Sequence, residues 1–207
     1  MKKISLYSFV LLAVLAFTAC TQDSDVENKQ TKTTLFIENF TDNTDGTTLD
    51  TPGWTNYAQI GTYKFTEEVF KGDGYAQFTA FQSQANLRQD LNVAWLISPA
   101  FDMDKQEGET LVFQSAHAFL SSADNTLELM VSTDYDGNIA NFNQSSWVSI
   151  PAKTPTVFND FYEYVNSGAI DLSGFKGTLH FAFKYKGSGV NQNLDCTYQI
   201  DNIRLYY

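Results

Sequence analysis

Basic residues are scarce in this chain. Lysine and arginine total 13 against 24 aspartates and glutamates, and the 207 residues carry a formal charge of −11. Nucleic-acid binding rests on clustered Lys and Arg that neutralise phosphates, so this balance argues against a nucleic-acid partner and against direct adhesion to an anionic membrane surface. Histidine is confined to His117 and His180, each inside an alternating segment with no Ser, Cys or Asp arrangement around it. There is no Gly-x-Ser-x-Gly elbow and no His-Glu-x-x-His helix. Glu128 is the one acid inside its alternating segment, whereas a glycosidase needs two carboxylates close together. Catalysis is therefore not expected. Helical period is also missing: no long segment spaces its apolar residues three and four apart between convincing caps, which leaves room for one short helix near residues 157–164 at most.

Cysteine is nearly absent, and one of the two, Cys20, sits at an informative place. Lys2 and Lys3 precede an apolar run from Phe9 to Phe17, and Thr18-Ala19 lead into Cys20. A charged start, an apolar run too short for a comfortable membrane span and small residues at the end make residues 1–19 a secretory signal. The cysteine at the cleavage point reads as a bacterial lipobox, with Phe17 where leucine is usual. Cys20 then becomes the lipidated first residue of the mature protein; the alternative is an ordinary signal with an incidental cysteine. Residues 20–34 are polar without apolar period and read as a flexible tether. Asp23, Asp25 and Glu27 resemble the acidic export signal of surface lipoproteins in Bacteroidetes-type bacteria. The expected location is the outer membrane, with the chain exposed at the cell surface. Once Cys20 is acylated, Cys196 has no partner for a disulfide within the chain and reads as a small core residue.

Residues 35–207 are enough for a single domain with a sizeable core. They divide into many short β segments separated by turn signals: 35–40, 54–65 with a break at Gly61, 75–81, 94–99 closed by Pro99, 110–119, 126–132, 147–150, 178–187 and 197–207. The last two carry the clearest pattern. Leu179, Phe181, Phe183 and Tyr185 fall on one face, because side chains alternate along a strand. Tyr198 and Ile200 follow the same rhythm, but after Asp201-Asn202 the apolar pair becomes Ile203 and Leu205. A one-residue change of phase requires a bulge or twist, since otherwise the apolar set would face water. Short strands with long polar loops mean an all-β fold, a jelly-roll β-sandwich of two antiparallel sheets.

Eight pieces in order along the chain carry a resemblance. They include Phe36-Ile37-Glu38-Asn39-Phe40, Gly53-Trp54, Trp95-Leu96-Ile97-Ser98-Pro99, the run from Leu127 to Gly137, and Tyr198-Gln199-Ile200-Asp201-Asn202-Ile203. Together they resemble the choice-of-anchor J and cleaved-adhesin group, whose jelly-roll domains are related in shape to MAM domains. The resemblance implies adhesion or binding rather than a defined reaction. It also implies a structural Ca²⁺ where the first and last strands meet. Ca²⁺ takes six to eight oxygens, and Glu38 and Asp42 from the first strand with Asp201 from the last are the acids that would converge. The alternative leaves Glu38 and Asp42 solvated and Asp201 bonded to backbone amides at the bulge. Asp134-Tyr135-Asp136-Gly137-Asn138 looks like a calcium loop but lacks the acid an EF-hand needs, and a turn is the better reading.

Sugar binding uses exposed aromatic faces with nearby amides or acids. Aromatics make up 15% of the chain, and most belong to the core. Trp95 and Trp147 lie within apolar runs and are expected to be buried. Trp54 and Tyr57 beside a polar loop, and Tyr135 at a turn tip, are the stacking candidates. The reading is a non-catalytic surface lipoprotein with a recognition domain for extracellular carbohydrate; the alternative is a protein–protein adhesin or an accessory subunit of a cell-surface complex. Cys20→Ala should abolish membrane association of the mature chain, and globomycin should arrest its processing; fractionation and a gel-mobility shift of the precursor check both.

Overall fold

The computed structural model describes residues 32–207 except Asn43. The expected signal, Cys20 and most of the tether lie outside the described residues. The strands in chain order are β1 (Thr34–Glu38), β2 (Thr47–Thr48), β3 (Thr55–Ile60), β4 (Thr66–Phe70), β5 (Asp73–Thr79), β6 (Asn92–Ile97), β7 (Phe101–Asp102), β8 (Thr110–Ala118), β9 (Thr126–Ser132), β10 (Val148–Ile150), β11 (Val165–Asn166), β12 (Ile170–Asp171), β13 (Thr178–Gly187) and β14 (Thr197–Tyr206). The helical content of the described residues is three short 3₁₀ segments, Ala85–Leu87, Ile139–Gln144 and Gln192–Leu194. The helix allowed near residues 157–164 is instead a pair of turns, with Tyr162 at φ +64°.

Two antiparallel sheets result, as the alternation and turn signals require. One orders β11-β8-β14-β5-β4-β2, with β1 also on β14 and β12 also on β8. The other orders β10-β9-β13-β6-β3, with β7 on β13. The apolar faces meet between them: Phe113 and Tyr198 from the first sheet and Phe181, Phe183 and Tyr185 from the second belong to one buried cluster. β13 pairs β9 along one side and β6 along the other, so its three inward rings sit at the centre of their sheet. Removing one, as in Phe181→Ala, leaves a cavity whose cost is typically about 3–5 kcal/mol.

β14 is the hinge of the first sheet. Thr197 to Ile200 pair with β5, whereas Ile203 to Tyr206 pair with β1, and β8 runs along the other side throughout. The register against β8 shifts between Asp201 and Arg204, and Asn202 has φ +52°. This is the bulge that the change of apolar phase predicts, and it keeps both Ile200 and Ile203 fully buried. Pairing of the first strand starts earlier than the apolar pattern suggested. Thr33 exchanges both backbone bonds with Tyr207, because the last strand offers a free edge there and threonine suits a strand.

Asn202 is chosen for its position: asparagine tolerates the left-handed region better than most residues, and its side chain also bonds Gln114 Oε1 at 3.0 Å. Asn202→Val should cost at least about 1–2 kcal/mol from the backbone alone, whereas Asn202→Gly should lose the side-chain bonds but not suffer the strain. Urea unfolding of the two variants checks the order.

Candidate functional site

The two sheets expose their outer faces unequally. Over β6, β9 and β13 lies the connection between β9 and β10. It presses Tyr135, Phe142 and Trp147 onto Val93, Trp95, Ile97, Met130 and Ala182. Trp95 and Trp147 pack with their rings tilted by 53° at 5.3 Å between centroids. Asp134 and Asp136 hold this connection: Asp134 accepts from the Ser132 hydroxyl and the Ser146 amide, and Asp136 from the Asn138 amide and the Asn141 side chain. These donors keep both carboxyls below the usual range. The segment is thus a turn-and-cover device.

That cover decides two of the expected stacking residues. Tyr135 is 2% exposed, its ring packed against Trp147 and His180, and no sugar reaches it. Tyr57 is half-buried with its ring 4.9 Å from Phe142. Trp54 is also withdrawn. Gly53 turns the chain at φ +86° in a spot where a Cβ would meet Pro99 at 3.0 Å, and the indole enters the sandwich beside Phe36, Phe40 and Phe181. Its Nε1–H donates to Glu38 Oε2 at 3.1 Å. A position next to a polar loop did not mean exposure, because the loop hands the ring straight into the core.

Of the expected calcium ligands, Glu38 and Asp42 line one cleft and Asp201 lies outside it. Glu38 takes the Phe40 amide on its other oxygen at 2.9 Å. Asp42 shares a cleft with Glu38, Asp50 and Glu67, but Asp201 is not in it. Glu67 accepts the Thr44 and Asp50 amides. Asp201 is 2% exposed and accepts the Asn202 amide at 2.6 Å and the Asn202 side chain at 2.8 Å. Among the described residues, no three His, Cys, Asp or Glu side chains converge as a metal-binding set. Glu38, Asp42 and Asp201 therefore do not fit Ca²⁺ as a trio, and each oxygen bound by an amide is one fewer for a cation. Asp201 does what the alternative assigned to it: it binds the bulge.

The outer face of the sheet containing β14 is accessible along β4 and β5, whereas over β8 and β14 Ser115, His117, Gln199 and Asp201 are buried. Along β5, Ala76, Phe78 and Ala80 point inward, so Tyr75, Gln77 and Thr79 point out. Gln199 lies across from Gln77 and donates to its Oε1 at 3.1 Å. Beside this row the chain after Pro151 folds back. The Tyr162 amide bonds the His117 carbonyl at 2.7 Å, and β11 then joins the edge of β8. This brings Tyr162 and Tyr164 to face Tyr75 from the other side. The result is a cleft of about 460 Å³ lined by Phe70, Asp73, Tyr75, Gln77, Tyr162, Tyr164 and Gln199. Burial raises the phenols of Tyr75 and Tyr164 above their ordinary range, and the charges of Glu68 and Asp45 add to this at Tyr75, that of Asp201 at Tyr164. They stay neutral hydroxyls, able to donate and accept. Beyond the bulge lies a second, polar hollow with Gln114, Asn166, Asn202, Arg204 and Tyr206.

Three phenol rings about a pair of amides suit a ligand that presents apolar faces and hydroxyls together. The sequence did contain a signal for Tyr75, which has outward parity in its strand. Tyr162 and Tyr164 were legible only as aromatics in an irregular connection. Both histidines are spent on backbone: His117 Nε2 lies 3.2 Å from the Asn159 carbonyl and His180 Nδ1 2.8 Å from that of Ser98.

Comparison with known proteins adds to this geometry. The family described as "Domain of unknown function (DUF5017)" matches residues 56–205, well over half of the chain. No curated protein matches. Among solved structures, the K1 cleaved adhesin domain of Lys-gingipain from Porphyromonas gingivalis W83 is similar at 16% identity, with 82% of this chain and 96% of that one covered and a TM-score of 0.52. The K3 domain of the same protein gives 12%, 84%, 100% and 0.52, and the K2 domain 14%, 82%, 96% and 0.53. At these identities the likeness is one of fold, and the jelly roll is the shared architecture.

Burial first, then the charges of Asp73 and Glu38, pushes the Asp201 carboxyl up to about 6 from 3.8, against the pull of the Asn202 amide. A raised carboxyl pKa means that the folded state holds the proton more tightly, so this group's stabilisation is full below about pH 4 and is lost as pH rises through about 6. Asp201→Asn, neutral throughout, should gain stability relative to the wild type across that window; urea unfolding at several pH values measures the difference.

Proposed function

We propose, for a chain that belongs to the DUF5017 family, that it is a non-catalytic lipoprotein of the cell surface whose jelly-roll domain binds extracellular carbohydrate. The Cys20 anchor, the outer-membrane location and the kinship with choice-of-anchor J domains are parts of this proposal and rest on the sequence. The observation that carries the carbohydrate reading is the cleft over β5 and β14. Tyr75, Tyr162 and Tyr164 supply ring faces, and Gln77 and Asp73 supply hydroxyl partners, with the buried Gln199 holding Gln77 from below. Its volume falls within the range of pockets that hold small ligands. Binding without chemistry suits the two buried histidines, whose ring nitrogens are engaged with backbone.

A protein partner is the second reading, and a specific surface favours it. Phe158 is 94% exposed, Phe119 60% and Phe161 53%, and the last two rings lie 4.8 Å apart. Exposed aromatic clusters of this kind mark contact surfaces. This patch adjoins the cleft through Tyr162, so a partner gripping it would be felt at the cleft as well.

A glycan array spanning host and dietary polysaccharides tests the first reading. Tyr75→Ala and Tyr164→Ala should each weaken binding by about tenfold or more, the scale of losing a central aromatic contact, while Tyr57→Ala should leave it within about twofold because that ring packs on Phe142. Glycan binding lost on Phe158→Ser, with the tyrosine variants unaffected, would move the sugar site from the cleft to this patch; a silent array would leave the protein reading.

A further inference from the structure

This inference rests on the carbohydrate reading of the cleft and concerns which carbohydrates enter it. The tyrosines stand among acids. Glu68 on β4 lies directly across from Tyr75, and Asp73 across from Phe70. Asp73 lines the cleft itself. Asp201 has the outward parity of Gln199 two residues on, and its charge is felt at Tyr164, as that of Asp73 is. Asp45 acts on Tyr75 from beyond β4. The lining contains no lysine or arginine. One cation reaches the rim: the Lys71 ammonium lies over the ring of Phe70, a lining residue, at 5.1 Å from its centroid, while Arg204 belongs to the hollow beyond the bulge.

The two kinds of group act differently on a bound sugar. An uncharged pyranose turns its C–H face to a tyrosine ring and gives hydroxyl protons to carboxylate oxygens, which are strong acceptors. A uronate or sulfate brings an anion beside fixed anions. In a half-buried cleft that repulsion is stronger than in open water, and salt screens it less. Like charges set against a wrong partner are a common means of specificity.

We propose that the cleft accepts uncharged sugar chains and rejects those bearing uronate or sulfate, with Glu68 and Asp73 as the specificity-determining residues. The overall charge of −11 would also repel polyanions, so the claim is that the discrimination is local.

Native affinity electrophoresis of the full chain in mild detergent, with polysaccharides matched in backbone and differing in charge, tests it. The pairs are methyl-esterified pectin against polygalacturonate, hydroxyethyl cellulose against carboxymethyl cellulose, and chemically desulfated κ-carrageenan against native κ-carrageenan. At least one uncharged member should retard the protein, with its charged counterpart about tenfold weaker or more at low salt. Glu68→Gln with Asp73→Asn should narrow that gap to about threefold or less, whereas the equally neutralising pair Glu107→Gln with Asp124→Asn, both exposed and outside the lining, should leave it in place. Asp73→Asn alone should narrow it in part, which covers the case of a double variant that folds poorly. Equal retardation by charged and uncharged members overturns the proposal while the carbohydrate reading stands. Equal narrowing by the remote pair assigns the effect to net charge and overturns it too. No retardation by any of the polysaccharides, together with a silent array, removes the carbohydrate reading itself.

Discussion

The bulge at Asp201-Asn202 is the constraint on which the first sheet depends. β14 must keep β8 on one side for its whole length while it exchanges β5 for β1 on the other. A regular strand would carry Ile200 inward and Ile203 outward. The extra residue resets the phase, so both are buried and neither partner loses its pairing. Asparagine at the left-handed position and a carboxylate that accepts its amide make the reset a defined structure. The cost is a buried acid whose proton is held unusually tightly, and its charge borders the cleft.

The strand core was readable because its signal is local. Leu179, Phe181, Phe183 and Tyr185 announce an inward face by spacing alone, and the phase change at Asp201 announces the bulge. Pairing of the first and last strands was also in reach, since the termini of a jelly roll must close somewhere. What escaped was the direction of single aromatics beside loops. Trp54 and Tyr135 sit next to polar residues in the sequence, yet the tight turn at Gly53 and the folded-back connection after β9 carry their rings inside. Burial there is decided by where a loop leads, and composition does not contain that. The cleft escaped for a related reason. Tyr75 and the Tyr162–Tyr164 pair are far apart in sequence and meet only because residues 151–164 return along β8.

The two sheets divide the work. The face over β13 is closed by its own chain, with Trp147, Phe142 and Tyr135 serving as a lid of side chains on Trp95 and Met130. That closure buries His180 and Ala182 on the outer face of β13, while Lys184 and Lys186 further along stay accessible. The face over β5 has no such cover beyond the wall formed by Tyr162 and Tyr164, so it is the surface most open to recognition. Outward side chains of strands are held at fixed spacing, and a site on them inherits the precision of the sheet beneath.

The placement of charge follows from the same geometry. A residue on the outer face of β5 has neighbours on β4 and β14 whether or not they suit it, and for Tyr75 the near neighbours are Glu68 and Gln199. Lysine or arginine at those positions would reverse the sign of the charge beside the same rings, as Arg204 does in the hollow beyond the bulge. The bulge thus separates two environments on one strand, aromatic and acidic before it, polar with a cation after it. Asp201 stands at that boundary, bonded to the residue that creates it. The structural device that lets β14 change partners is therefore also the partition between the two compartments of its outer face.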